Sequence, residues 1–290
     1  MATDPEQIEQ KPSAGIPWIT VLWFSVLIAV CYAPVIRKLA SDWMIDEDMG
    51  HGFFVPAVAA YIFWQRKDEV LAKTYRQNPL GLAVVVLGGL MLIAGTMGVE
   101  YFVTRVALVT CIWGVVLTLG GTALLKELMF PLSLLFFMIP LPAVIYVQIT
   151  FPLQLLASSV AETVLNAVGI PVFRDGNVLD LPSQKLSVVE ACSGIRSLLS
   201  LSFLSLVYGY FFDSKSWMRW VLLVATIPIA ITANAFRVTL TGIFSEQNPE
   251  LAKGIFHSLE GWVIFMIALV LLVLTHQVIN RVFGAFHAKS

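Results

Sequence analysis

Apolar residues along this chain gather in blocks of membrane-spanning length instead of alternating with polar ones at helical or strand period. The blocks predict helices near 18–36, 49–65, 80–99, 106–125, 129–149, 195–212, 217–243 and 259–283. The second is the weakest: it reaches length only by including Gly50, His51 and Gly52, which leaves a re-entrant segment open. Between the fifth and sixth blocks, Gln154, Ser158, Glu162 and Asn166 recur every four residues, opposite Leu153, Leu156, Val160 and Val164. That is the pattern of a helix lying in the membrane interface. Beyond Gly169 and Pro171, the Asp175-Gly176 pair signals a hairpin turn. After Pro182, a strand-like Leu186-Ser187-Val188-Val189 leads into Glu190-Ala191-Cys192-Ser193-Gly194. The fold class is therefore an all-α polytopic membrane protein of about eight transmembrane helices, with an external interfacial helix and a short β-hairpin. Its organisation reads as a cytoplasmic tail (1–17), helices one to five (18–149), the external helix and hairpin (150–191), helices six to eight with the candidate chemistry (192–285), and a second cytoplasmic tail (286–290).

Composition agrees with lipid as the solvent. The chain is 58% hydrophobic and only 13% charged, about half the charged fraction of a soluble domain. That excludes a soluble globular fold, a disordered chain, a collagen-like fibre and a disulfide-stapled secreted domain. A net charge of −1 with scattered basic residues gives no surface for nucleic acid. The first polar stretch, Met1 to Gly15, sets Asp4, Glu6 and Glu9 against Lys11, so it lacks the positive region of a signal peptide. Arg66, Lys67, Lys73 and Arg76 form the densest basic cluster in a short loop and are expected in the cytoplasm. Both termini then lie inside, inner segments carry a basic excess and outer ones an acidic excess.

Gly88 and Gly89, Gly95 and Gly98, and Gly120 and Gly121 read as packing positions that let helices approach closely in lipid. No phosphate-cradling glycine loop or metal-ligand spacing is present, so neither cofactor nor metal is expected. Polar residues at the ends of spanning helices are costly and mark candidate function. Three segments qualify: Ala191-Cys192-Ser193-Gly194-Ile195-Arg196, Ala233-Asn234-Ala235-Phe236-Arg237, and His257-Ser258-Leu259-Glu260-Gly261-Trp262. By counting spans, all three fall at the outer face.

Cys31 and Cys111 lie in apolar runs, where a thiol behaves as a small hydrophobe, whereas Cys192 has polar surroundings. A helix N-terminus with a nearby cation favours a thiolate, and either Arg196 or Arg237 can supply that cation. His257 can protonate a leaving amine and activate an incoming nucleophile, with Glu260 three residues on to orient its ring. Arg237 shares a helix face with Asn234 and Thr241, which can hold a guanidinium aimed at an oxyanion. Two rivals remain: an intramembrane serine protease using Ser193 with His257, and a non-enzymatic channel or transporter with a polar outer vestibule.

The run Glu-Ala-Cys-Ser-Gly-Ile-Arg-Ser, then Ala-Asn-Ala-Phe-Arg-Val, then a His at the head of the last helix resembles the exosortase and archaeosortase family. The early His51-Gly52 with Pro56 fits the same family. The resemblance implies a multi-pass transpeptidase with Cys192 as nucleophile, Arg237 as oxyanion or thiolate stabiliser and His257 as general acid/base. Arg196, Asn234, Glu260, His51 and Ser193 are supporting candidates. His257 in place of an arginine points to the bacterial exosortase branch, in the cytoplasmic (inner) membrane with its site on the periplasmic face. The implied partners are membrane lipid, an unknown acceptor nucleophile and exported proteins with a C-terminal tripartite sorting signal: a Pro-containing motif of PEP-CTERM type, one spanning helix and a basic tail.

Overall fold

The computed structural model describes residues 18–188, 194–247 and 254–287. The chain divides into two compact units, Met1–Pro140 and Leu141–Ser290. In the first, α1 (Trp18–Cys31) and α2 (Ala33–Ile45) meet at a 68° bend. Pro34 in the first turn of α2 cannot donate to α1. Tyr32, at the bend, is buried, and its hydroxyl lies 3.0 Å from the carbonyl of Gly88 and 3.2 Å from that of Ala107. These carbonyls belong to α5 (Leu80–Met97) and α6 (Tyr101–Leu134), which pack tightly. A Cβ at Gly88 would sit 3.1 Å from the Ala107 carbonyl, so Gly88 does permit the close approach expected of it.

Helix α6 folds back on itself. Gly121 has φ +64°, outside helical geometry, and the carbonyl of Arg76 occupies the space its Cβ would fill. The Trp113 indole N–H donates to the Leu132 carbonyl at 3.4 Å, and the Trp113 and Phe136 rings are 6.2 Å apart. Along a straight helix, residues 113 and 132 would be separated by about 28 Å. Gly121 is therefore a turn and not a packing position, and the expected helices 106–125 and 129–149 are replaced by limbs on either side of it. The second limb continues as a 3-10 turn, Leu135–Met138. It stops before Pro140 and Pro142, because proline cannot donate into a helix.

The two ends of this unit differ in chemistry. Near the Gly121 turn, Lys73 pairs with Glu127 at 2.7 Å and with Glu69 at 3.2 Å, above a small core of Val70, Tyr75 and Leu124. At the other end, Asp42 of α2 pairs with Arg105 of α6 and with Lys38 at 2.8 Å. The expected helix 49–65 is split into a 3-10 turn, Glu47–Phe53, and α3, Phe54–Gln65. Twelve residues reach about 18 Å, short of a bilayer core. Helix α4 (Lys67–Ala72) closes the basic loop.

In the second unit, α7 (Ala143–Ala167) is one continuous helix where a span end and a separate interfacial helix were expected. It stops in a Schellman-type turn: Gly169 has φ +87°, the Ile170 N–H reaches the Leu165 carbonyl at 3.0 Å, and the Gly169 N–H reaches that of Asn166 at 3.1 Å. The Asp175-Gly176 hairpin is present, and a third strand extends it: β1 (Phe173–Asp175), β2 (Val178–Asp180) and β3 (Lys185–Ser187) form an antiparallel sheet in that order. The polar stripe of α7 holds this sheet. Glu162 pairs with Arg174 at 2.7 Å, Gln154 accepts from Asn177 at 3.0 Å, Ser158 donates to the Gly176 carbonyl at 3.0 Å, and Asn166 accepts from the Val172 N–H at 3.3 Å. The stripe thus meets protein where lipid headgroups were expected.

Three further helices of the unit are described: α8 (Gly194–Phe212), α9 (Ser216–Gln247) and α10 (Gly254–His287). Leu179, Leu181, Leu186 and Val188 from the sheet pack with Ala157, Ala161 and Leu165 of α7 and with Ala235 and Val238 of α9. A second core joins Leu201 of α8, Met218, Leu222 and Ala233 of α9, and Ile264, Ala268 and Leu272 of α10. Among the described residues, five helices, counting α6 and its 3-10 tail once, are long and apolar enough to cross a membrane, or six if the bent α1–α2 pair is one span. The expected eight are not reached among the described residues, where α6 counts once and 49–65 is broken.

Candidate active site

The second unit frames a small region from three directions. Val188, at the end of the sheet, is fully buried against the core that contains Val238 of α9. Leu198 of α8 lines a narrow crevice with Leu153 of α7 and with Ile227, Ala230, Ile231 and Asn234 of α9. Gly261 of α10 lies against Arg237 of α9, where a Cβ would come within 3.2 Å of Nη2 and 3.3 Å of Cζ. Sheet, α8 and α10 thus all meet α9 between Asn234 and Val238.

Arg237 is half-buried on the last third of α9, one turn beyond Asn234, which is 8% exposed. Two alanines flank Asn234 and are themselves buried, so the helix can lie close to its neighbours here. Thr241 donates its hydroxyl to the Arg237 carbonyl at 3.0 Å. That bond steadies the backbone carrying the guanidinium, a different contact from the one expected of this residue. Gly261 supplies what the sequence did not single out: a place on α10 with no side chain, into which a planar guanidinium fits. The signal was present in the Glu260-Gly261-Trp262 run, but a glycine in a lipid-solvated helix reads as packing.

His257 lies one helical turn before Gly261, so the two positions share a face of α10. Its backbone and that of Glu260 are described, while their side chains lie outside the description. Cys192 and Ser193 fall outside the described residues, between Val188 and the start of α8 at Gly194. Arg196 is half-buried in the first turn of α8. His51 belongs to the first unit, where a ring nitrogen lies 3.1 Å from the Phe137 carbonyl. Trp43, stacked edge-on to Phe53, donates to the Met138 carbonyl at 2.9 Å, and Gly52 leaves room for its indole. His51 therefore has a local structural setting of its own.

Among the described residues, no three His, Cys, Asp or Glu side chains come together as a metal would require.

The family model for transmembrane exosortases matches residues 43–274. The chain belongs to that family. No curated protein and no solved structure matches it. The matched exosortase region takes in most of both units and every segment that frames Arg237. The protein is thus a multi-pass membrane member of the exosortase family, with an arginine held at the junction of sheet, α8, α9 and α10.

Proposed function

We propose that this exosortase is a membrane-embedded cysteine protease and transpeptidase. It cleaves the C-terminal Pro-containing sorting signal, of PEP-CTERM type, of exported proteins at the outer face of the bacterial inner membrane, with both termini in the cytoplasm. The observation that carries this reading is Arg237 seated on Gly261, one turn from His257, in the region that Val188 and Leu198 border on either side of Cys192. Cys192 is four positions after Val188 and six before Leu198, a reach of at most about 14 and 21 Å of extended chain.

In this mechanism the Cys192 thiolate attacks the scissile carbonyl carbon and the carbonyl oxygen becomes an oxyanion facing the Arg237 guanidinium. The C–N bond then breaks as His257 gives a proton to the departing amine. The acyl group remains on Sγ as a thioester. His257, now neutral, takes a proton from the incoming nucleophile, which attacks the thioester and releases the thiolate. Water as that nucleophile gives a protease; another acceptor gives a transpeptidase. Arg196 adds positive potential near the thiolate, and Asn234 lines the approach to Arg237.

Processing of a tagged substrate helix by Cys192→Ala, Cys192→Ser and Ser193→Ala enzymes tests the reading. Both Cys192 variants should be inactive while still inserting in the membrane, because a hydroxyl has a pKa far above that of a thiol, and Ser193→Ala should process. Loss with Ser193→Ala and retention with Cys192→Ala would favour the serine mechanism, and unchanged processing in all three would remove both.

A further inference from the structure

At the opposite end of α10 from Gly261, a buried polar cluster joins α8, α9 and α10 of the second unit. Asp213, in the turn between α8 and α9, is 9% exposed, and both its carboxylate oxygens are used. Oδ1 accepts the Lys215 backbone N–H at 2.7 Å, at the start of α9. Oδ2 lies 3.0 Å from Nε2 of His276 and accepts from the Asn280 amide at 3.0 Å, both on α10. The second ring nitrogen of His276 lies 2.9 Å from the Tyr208 hydroxyl on α8. Lys215 Nζ donates to Asn280 Oδ1 at 2.9 Å, which orients the amide so that its NH2 faces Asp213. With Nε2–H donating to Asp213 and Nδ1 accepting from Tyr208, the carboxylate, the imidazole and both faces of the amide are satisfied.

The rest of the α10 contact with α8 and α9 is apolar: Ile264, Ala268 and Leu272 against Leu201, Leu222 and Ala233. Between helices in lipid, such contacts have no hydrophobic driving force and rely on packing alone. Aliphatic side chains permit a helix to slide or rotate by a fraction of a turn, whereas a carboxylate bonded to His276 and Asn280, one turn apart, does not. Gly261 lies fifteen residues before His276, about 22 Å along a rigid helix. Any axial or rotational slip at His276 is delivered to Gly261 and His257.

We propose that Asp213, His276 and Asn280 are positioning residues for the reaction: their cluster fixes the register of α10 on α8 and α9, and so holds Gly261 and His257 opposite Arg237. The functional half of this statement rests on the cysteine-protease reading above; the register half does not.

The test has two arms. In a variant with all three cysteines replaced by alanine, spin labels at Thr232→Cys on α9 and Val263→Cys on α10 report the helix register as a distance distribution in detergent or nanodiscs. Asp213→Ala and the milder Asn280→Ala should each shift or broaden that distribution, and an unchanged distribution in both overturns the proposal. In the native-cysteine enzyme, Asn280→Ala should lower kcat about tenfold or more, as sub-ångström to ångström misplacement does, with KM little changed. Tyr208→Phe, which keeps the carboxylate contacts to α10, should retain most of kcat. A register shift with unchanged kcat would overturn the positioning role. If the native enzyme itself processes no substrate, the protease reading fails, and the distance arm still decides whether the cluster sets the register.

Discussion

Two arginines, one in each unit, sit in surroundings that have little water and are handled in opposite ways. Arg105 is 5% exposed and is closed by the carboxylate of Asp42, which Lys38 also engages. Its charge is spent on tying α6 to α2. Arg237 is half-buried and its guanidinium rests on Gly261, a residue with no side chain to compete for its donors. A guanidinium neutralised by a carboxylate is a structural tie; in the proposed mechanism the one seated against the α10 backbone turns its planar fork to an oxyanion. Under the proposed mechanism, Arg105 is a determinant of stability and Arg237 one of turnover.

The largest effect expected is on the structural side. Asp42→Ala leaves Arg105 buried beside Lys38 with no carboxylate between them, and breaking a buried pair in this way costs about 3–5 kcal/mol. Thermal unfolding in detergent should show the loss, and an Asp42→Leu/Arg105→Leu double variant should recover much of it. A fully stable Asp42→Ala protein would erase the distinction between the two arginines.

On the catalytic side, Arg237→Lys keeps the charge and loses the fork. Turnover should fall by about 10²-fold or more with melting unchanged, whereas Arg196→Lys, where charge matters more than shape, should keep a good part of its activity. The reverse ranking would move the catalytic assignment to Arg196. Gly261→Ala is the finer probe, because the new Cβ would lie 3.2 Å from Nη2, so the guanidinium must give way by a few tenths of an ångström. A drop in kcat of about tenfold is expected, and Gly261→Leu should be inactive; equal turnover in all three would mean that the Gly261 contact does not place Arg237.

The smallest effect separates the ends of the second unit by pH. Burial pushes the Asp213 carboxyl up, but the hydrogen bonds from His276, the Lys215 N–H and Asn280, with the Lys215 charge, outweigh it and hold the pKa at about 2. A carboxyl depressed below its unfolded value contributes stability that is present above that value and lost as pH falls through the folded one. Melting temperature should therefore be insensitive to this group near neutrality and decline as pH drops from about 4 toward 2. In Asp213→Asn that acid-side decline should be weaker, and an identical profile would detach Asp213 from acid stability.

Much of the fold was legible where a residue type has one physical use. Asp175-Gly176 could be read as a turn because Gly176 adopts φ +62° at no cost. The apolar blocks marked most of the helices. What escaped the sequence was the partner of each pattern. The stripe from Gln154 to Asn166 defined a polar face but not what covers it, and the cover is the sheet seven residues downstream. Gly120-Gly121 looked like packing because glycine serves both purposes in lipid; only the meeting of Trp113 with Leu132 reveals the turn. In the candidate site, Arg237, Asn234 and the His257 segment were legible as costly polar positions at helix ends. Gly261 and the Asp213–His276 cluster were not, since the first is defined by an absence and the second by residues more than sixty positions apart.

The proposed reaction passes through a thioester at Cys192, and hydroxylamine intercepts such an intermediate. Purified enzyme, a tagged substrate helix and hydroxylamine should yield a hydroxamate at the new C-terminus of the substrate by mass spectrometry, with no such product from Cys192→Ala. A substrate processed by Cys192→Ala, or a new C-terminus that remains a free carboxylate at every hydroxylamine concentration, would contradict the cysteine acyl-enzyme.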